Sequence, residues 1–315
     1  MQQTFFSACH KDNAICKKSS SGGAFTALSD KWFEKDNAVV YGCVLDEFLN
    51  AKHARATSAK ERDKMRGSKY IQSNTLGIFK SVKNDLANNC NVLFSGTPCQ
   101  ISALKSYLNL QNTGTSKLLT VEVICHGVAS KKFFDDYIAH LEKKYKSKAV
   151  NCNFRGKTKP NKKQDMVVTF ENGKSYIAST TRFDWFYTMY LRNFVLRQSC
   201  YNCKFATQNR NSDLSIADLW GSDYEGTCQS LIIVNTDKGL ELLNLCSNDM
   251  QLSEINQDAI SVPHLNSPYK KPNNYDAFWN TYLNSGYFAM QKEFGHNNFK
   301  GKLMTFAANI IYKIH

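Results

Sequence analysis

The chain holds a single Cys-x-x-Cys pair, Cys200 and Cys203, inside the stretch from Arg197 to Gly221, RQSCYNCKFATQNRNSDLSIADLWG. Two intervening residues let both sulfurs face one point from a tight turn, which suits a metal ion, an iron–sulfur cluster or a redox disulfide. The pair alone does not choose among these. Further thiols come from SGTPCQ around Cys99 and ICHG around Cys125, each just past a short apolar run. Those runs, Val92-Leu93-Phe94 and Leu118 to Ile124, are rich in branched residues and read as buried strands. Strand ends of an open α/β sheet gather at one rim, so the two cysteines can be neighbours although 26 positions separate them. Together with Cys200 and Cys203 they make the four sulfurs that a 4Fe–4S cluster takes. Structural zinc and unliganded thiols remain alternatives on spacing alone. Of the 11 cysteines, Cys43, Cys90, Cys152, Cys228 and Cys246 read as small core hydrophobes. Cys9 and Cys16 are too widely spaced for a compact ferredoxin run. An odd count and a start, MQQTFFSACHKDN, unlike a signal peptide argue against a disulfide framework and for a reducing cytoplasm.

The elements around these thiols are legible in outline. Ser19 to Leu28, SSSGGAFTAL, puts serines and glycines ahead of a helical pattern running through Phe25, Leu28, Trp32 and Phe33. Such a turn exposes backbone N–H groups that attract phosphate, and it is equally an ordinary N-cap. No GxGxxG fingerprint follows a strand there, so a standard Rossmann site is not indicated. Ala38 to Leu45 is strand-like, and a basic, polar stretch then leads to MRGSKYIQS, residues 65 to 73. Lys69 in that segment is either a surface lysine or a charge for a phosphate or a reduced ring, with Tyr70 packing beside it.

Residues 76 to 89 carry Leu76, Phe79, Val82 and Leu86 at helical spacing. In SGTPCQ, Gly96 permits close backbone approach and Pro98 fixes the corner that presents Cys99, with Ser95, Thr97 and Gln100 supplying polar groups. A helix over Ile101 to Leu108 follows. His126, next to Cys125, either caps local backbone or serves as a proton donor.

Phe133 to Lys148 reads as an amphipathic helix, and FRGKTKPNKK from Phe154 reads as a basic loop. Met166 to Phe170 and Ser175 to Ala178 flank Glu171-Asn172-Gly173 as a hairpin. Tyr187 to Leu196 reads as an aromatic helix. Leu214 to Leu219 and Ser230 to Asn235 read as strands, with Asp218 placed to meet a cofactor or Arg210, and Trp220 expected in the pocket. A helix starts near Leu240, and helical packing around Phe278, Trp279, Tyr282 and the apolar stretch Phe306 to Tyr312 is expected beyond residue 250.

At 315 residues the chain can bury one large or two modest cores, and no apolar run approaches the roughly 20 residues of a membrane span. The fold class is α/β: a mixed β-sheet flanked by helices, with a helical C-terminal extension. The organisation is a binding domain over 1–239, in parts 1–75 and 76–239, and an extension over 240–315. The net charge of +13 is dispersed in small groups, such as Lys143, Lys144, Lys146 and Lys148, then Lys157, Lys159, Lys162 and Lys163. No nucleic-acid module accompanies it, which leaves a solvated surface or a docking face for an acidic redox protein.

The order SSSGGAFTAL, RGSKYIQS, FSGTPCQISALKSYL, VEVICHGVAS, RQSCYNCKFA, RNSDLSIADLWG and IIVNTDKG resembles the beta-subunit family of deazaflavin-coenzyme (F-420) hydrogenases and dehydrogenases. The resemblance spans most of the first 240 residues. It implies an iron–sulfur flavoprotein that holds FAD beside one 4Fe–4S cluster, with Cys99, Cys125, Cys200 and Cys203 as ligands. It also implies FAD contacts at Ser20, Ser21, Gly22, Gly23, Lys69, Tyr70, Gln72, Ser73, Ser95, Gly96, Thr97, Pro98, Gln100, His126 and Asp218, with His126 and Lys69 as catalytic candidates. Arg155 and Lys157 resemble a recurring basic pair of the family. Many relatives carry an N-terminal ferredoxin-like segment that this chain lacks. The implied partners are therefore an external ferredoxin-like acidic donor and a small-molecule hydride acceptor of unspecified identity, with no nucleic acid and no membrane insertion. The oligomeric state is left open. The bacterial relatives of this type also imply a setting in polysaccharide biosynthesis. A zinc-stabilised binding protein and a Cys-x-x-Cys thiol oxidoreductase remain the rival classes.

Overall fold

In the computed structural model, which describes residues 2–158, 165–179, 184–220 and 228–294, the chain runs in order through β1 (Thr4–His10), α1 (Asn13–Lys18), α2 (Ala24–Phe33), β2 (Ala38–Leu45), β3 (Ala51–Ala56), α3 (Ala59–Arg62), α4 (Ile78–Ala87), β4 (Asn91–Gly96), α5 (Pro98–Leu110) and β5 (Leu118–Val123). It continues through α6 (Lys131–Tyr145), β6 (Ala149–Gly156), β7 (Asp165–Phe170), β8 (Ser175–Ser179), α7 (Trp185–Leu191), β9 (Leu214–Asp218), β10 (Ser230–Val234), α8 (Asp237–Leu245), β11 (Met250–Glu254) and α9 (Tyr275–Phe294). Lys159, Lys162, Lys163, Gly221 and the stretch Phe306 to Tyr312 lie outside the described residues. Packing divides the chain into two units, Met1–His126 with Asn202–Pro268, and Gly127–Tyr201 with Tyr269–His315.

The first unit is an eight-stranded mixed sheet in the order β11-β1-β10-β9-β5-β4-β2-β3. Strands β2, β4, β5 and β9 are mutually parallel, and β3, β10, β1 and β11 extend them with antiparallel pairings. Both faces of the parallel part are covered, which is why these strands read as unbroken apolar runs. On β4, Leu93 faces the core built with Leu28, Trp32 and Leu242, while Val92 and Phe94 face the one built with Val82, Ile101 and Leu104. Side chains alternate across the strand, so neighbours serve opposite layers.

Three strands of this unit were not expected. The segment 1–18, for which no element was expected, contains β1, which sits inside the sheet between β10 and β11. The basic stretch after β2 contains the edge strand β3, and the region beyond 250, expected to be helical, contributes the opposite edge strand β11. Edge strands bury one side only, so their sequences carry little apolar signal.

The second unit combines the antiparallel sheet β6-β7-β8 with α6, α7 and α9. The basic loop expected from Phe154 instead begins as the last three residues of strand β6, and the aromatic helix is α7, which stops at Leu191. Rings dominate the core: Phe134 meets Phe186 at 5.1 Å, and Phe194 stacks on Phe278 at 4.9 Å. Asp184 caps α7 through Tyr187 N at 2.6 Å and accepts from the Tyr137 hydroxyl at 2.6 Å. Burial raises its carboxyl above the usual range, against those donors. Helix α9 breaks at Gly286, whose φ of 79° is a left-handed conformation that glycine adopts without strain.

Candidate functional site

The C-terminal ends of β2, β4, β5 and β9 share one rim of the first unit, and the antiparallel neighbours bring the end of β1 and the start of β10 to it, with Ala8 opposite Ser230 and Ser230 opposite Asp218. Most of the sequence-derived site residues stand on this rim, where α/β sheets place their ligands.

The serine-glycine turn is fastened from several sides. His10 N donates to Gly22 O at 2.7 Å, Gly22 N donates to Ser230 Oγ at 2.9 Å, and Ser21 Oγ donates to Gln229 O at 2.5 Å. Gly23 has φ 87° and caps α2 without a side-chain hydrogen bond. Ser20 Oγ accepts from Ser68 N at 3.1 Å, which joins the turn to the RGSKYIQS segment. Two buried polar atoms in these same segments have no protein partner, Arg66 Nε and Gln229 Oε1. Neither residue stands out in the sequence. A buried, unpartnered guanidinium N–H is suited to a charged oxygen of a ligand.

In RGSKYIQS the Lys69 ammonium donates to the Met65 and Arg66 carbonyls, both at 2.8 Å, closing the turn that precedes it. Burial lowers its pKa to about 8, with Cys43 nearby pulling the other way. Tyr70 is half-buried, Gln72 is exposed, and buried Ile71 anchors the segment between them. Ser73 meets His53, a residue the sequence reading passed over. His53 Nε2 lies 2.9 Å from Ser95 O and so carries the proton, leaving Nδ1 to accept from Ser73 Oγ at 2.7 Å. The ring stacks on Phe94 at 5.1 Å.

Burial depresses the His53 pKa from the ordinary 6.5 to about 4. The unfolded chain therefore binds a proton in that window that the folded chain refuses, so the stabilisation is complete above pH 6.5 and drains away as the pH falls toward 4. His53→Gln is expected to reduce the stability lost between pH 7 and pH 5 by about 2 kcal/mol, read from urea unfolding at both values. An unchanged pH slope would show that the ring titrates freely.

At the end of β4, Thr97 N donates to Gln100 Oε1 at 3.0 Å and Pro98 opens α5, so the corner is rigid. Cys99 is exposed there, with Sγ 3.1 Å from Thr97 Oγ1. Cys125 follows β5, which runs beside β4 with Gly96 opposite Glu122. His126 stands against His264, ring centres 5.8 Å apart. Burial, then the neighbouring His126 and Arg210, lowers His264 to about 4. Cys203 lies near Arg210, whose guanidinium is tied to Leu265 O at 2.6 Å and to Glu122 at 3.4 Å. Arg210 thus pairs with Glu122. Burial raises Glu122 and lowers Arg210, so for both groups desolvation outweighs their attraction. Arg210 Nε is buried without a partner. Trp220, expected to pack a pocket, is 57% exposed.

In the second unit Cys200 is half-buried, and its backbone N–H closes a turn onto Arg197 O at 2.9 Å. Among the described residues no group of three or more His, Cys, Asp or Glu side chains is gathered as a metal ion requires. The Cys99, Cys125 and Cys203 thiols have suitable chemistry and remain outside disulfides. Two open grooves, of about 450 and 500 Å³, lie at the other end of the sheet beside Ala38 and Asn91, and none of the expected site residues lines them. Among the described residues no helix is long and apolar enough to cross a membrane.

Residues 90–258 match the family model for the C terminus of the coenzyme F420 hydrogenase/dehydrogenase beta subunit, and residues 5–80 match the model for the N terminus of the same family. A chain of the xenon-derivatised F420-reducing NiFe hydrogenase complex from Methanosarcina barkeri is similar at 19% identity with a TM-score of 0.56, over 79% of this chain and 81% of that one. At that identity the likeness is one of fold. No curated protein matches the chain.

Proposed function

The chain belongs to the coenzyme F420 hydrogenase/dehydrogenase beta-subunit family, and on that footing we propose that it is an FAD-dependent electron-transfer oxidoreductase. In this reading FAD sits at the Ser20–Gly23 turn and one 4Fe–4S cluster is held by Cys99, Cys125, Cys203 and, by its spacing, Cys200. A ferredoxin-like acidic protein exchanges electrons with it, and a soluble hydride carrier, with coenzyme F420 the first to assay, exchanges hydride. The observation that carries the reading is the pair of buried, unpartnered polar atoms, Arg66 Nε and Gln229 Oε1, in the segments that fasten this turn.

Bound flavin supplies the conversion between two-electron hydride transfer and one-electron transfer. The chain's own residues supply the seat. Arg66 and the uncapped start of α2 attract the negative charge of a pyrophosphate. Lys69 adds a fixed positive charge, since two carbonyls hold its ammonium in place. His126 brings a ring to the end of β5 that can hold a proton there. The cluster part rests on thiol chemistry and on the ends of two adjacent strands.

Protein purified without oxygen is expected to contain flavin, iron and sulfide; stoichiometric zinc without flavin would replace this reading with a zinc-stabilised binding protein. Arg66→Gln should weaken flavin retention about tenfold or more, as expected for one lost charge-assisted hydrogen bond. Cys203→Ser should lose most of the iron, and full iron content in that variant would remove Cys203 from the ligand set.

A further inference from the structure

Three thiols that the sequence gives no reason to connect meet beside the same rim. Cys9, near the end of β1, and Cys16, in α1, have their sulfurs 3.4 Å apart and unbonded. Cys16 Sγ also donates to His10 O at 3.2 Å, and Cys228 Sγ reaches Ser21 O at 3.2 Å and Cys16 O at 3.9 Å. The approach of Cys9 and Cys16 is built into the backbone. Asp12 accepts from Ala14 N at 2.7 Å and starts α1, while His10 Nδ1 accepts from Asp12 N at 3.0 Å, so the helix folds back over the strand that carries Cys9. Sulfurs at this separation need only close by about 1.3 Å to reach bonding distance, a movement within reach of side-chain rotation.

We propose that Cys9 and Cys16 form a reversible dithiol/disulfide site, separate from Cys200 and Cys203, that exchanges with low-molecular-weight disulfides such as oxidised glutathione. Cys9 is half-buried and is the point of entry, whereas Cys16 is buried. Burial, followed by the hydrogen bond with Cys9, pushes the Cys16 thiol up to about 12, which makes it the second sulfur to react. The Cys9 thiolate attacks one sulfur of the external disulfide, and one external thiol leaves as the mixed disulfide forms. Cys16 then gives up its proton and attacks Cys9 Sγ, and the second external thiol leaves. Two S–H bonds have become one S–S bond, and the two electrons have reduced the external disulfide to two thiols.

Lys11 separates the two cysteines, so a tryptic digest assigns the linkage directly. The full-length protein is incubated with oxidised glutathione under native conditions, its remaining thiols are blocked with N-ethylmaleimide, and the peptides are weighed. The expected product joins peptides 1–11 and 12–17 with the loss of two hydrogens, and dithiothreitol restores both thiols. Cys228→Ser should leave that product in place, and Cys9→Ser should abolish it. Recovery of Cys9 and Cys16 as separate maleimide or glutathione adducts in the wild-type protein overturns the proposal. So does a bond from Cys16 to Cys228.

Discussion

Glu122→Ala will cost about 3–5 kcal/mol of stability in urea unfolding, because it leaves the Arg210 guanidinium buried and without its counter-ion. Both side chains are about 1% exposed, and Arg210 already has one nitrogen without a partner. Ser215 Oγ, which donates to Glu122 at 2.8 Å, would lose that acceptor and keep only Asn235 and Ser212. The pair is held more by necessity than by its own attraction, since burial pushes each group toward its neutral form. The double substitution Glu122→Met with Arg210→Met should therefore be much milder than the single change. A single-site loss below about 1 kcal/mol would mean that water reaches Arg210.

Gly22→Ala is the second large effect, with an expected loss of about 3 kcal/mol or more. A Cβ on Gly22 would overlap the Ala8 carbonyl oxygen and lie 2.7 Å from Ser230 N and 3.0 Å from Cys228 O. These are backbone atoms of β1, β10 and its approach, so no side chain can swing aside to make room. The glycine is required by the sheet, whether or not a phosphate binds beside it. Flavin loss in a Gly22 variant would accordingly not distinguish a damaged seat from a damaged fold, which is why Arg66 is the better probe. Near-wild-type stability of Gly22→Ala would mean that β1 and β10 lie farther from the turn than described.

The sequence reading succeeded where one residue type had one physical use. Strands β2, β4, β5, β9 and β10 are covered on both faces and show it in composition, and the hairpin of β7 and β8 is announced by Asn172-Gly173. It failed at β3, AKHARA, where short and charged residues hide a period of two, and at β11, where Met250 alone is buried. In β1 the inward positions include Ser7, Ala8 and His10, which carry no hydrophobic signal. The same holds at the rim. Serine-glycine turns and cysteines are conspicuous as letters, but His53 and His264 acquire meaning only from partners distant in the chain, and Arg66 and Gln229 only from the burial that leaves a polar atom of each unpartnered. The Glu122–Arg210 pair spans two motifs that looked separate, and the meeting of Cys9 with Cys16 depends on how a six-residue helix folds back.

The placement of β1 also dictates an order of assembly. Thr4 pairs with Val234 and His10 with Met250, so β1 finds no strand partner in this sheet until the late strand β10 has been translated, and its second only with β11. Contacts of such long range are slow to form. Until then the nascent chain carries an unpaired Phe-Phe strand, and before β9 is made the sheet has an open edge at β5, a state that invites chaperone binding. The Ser20–Gly23 turn, fastened to Ser230, reaches its final shape only in that last step of folding.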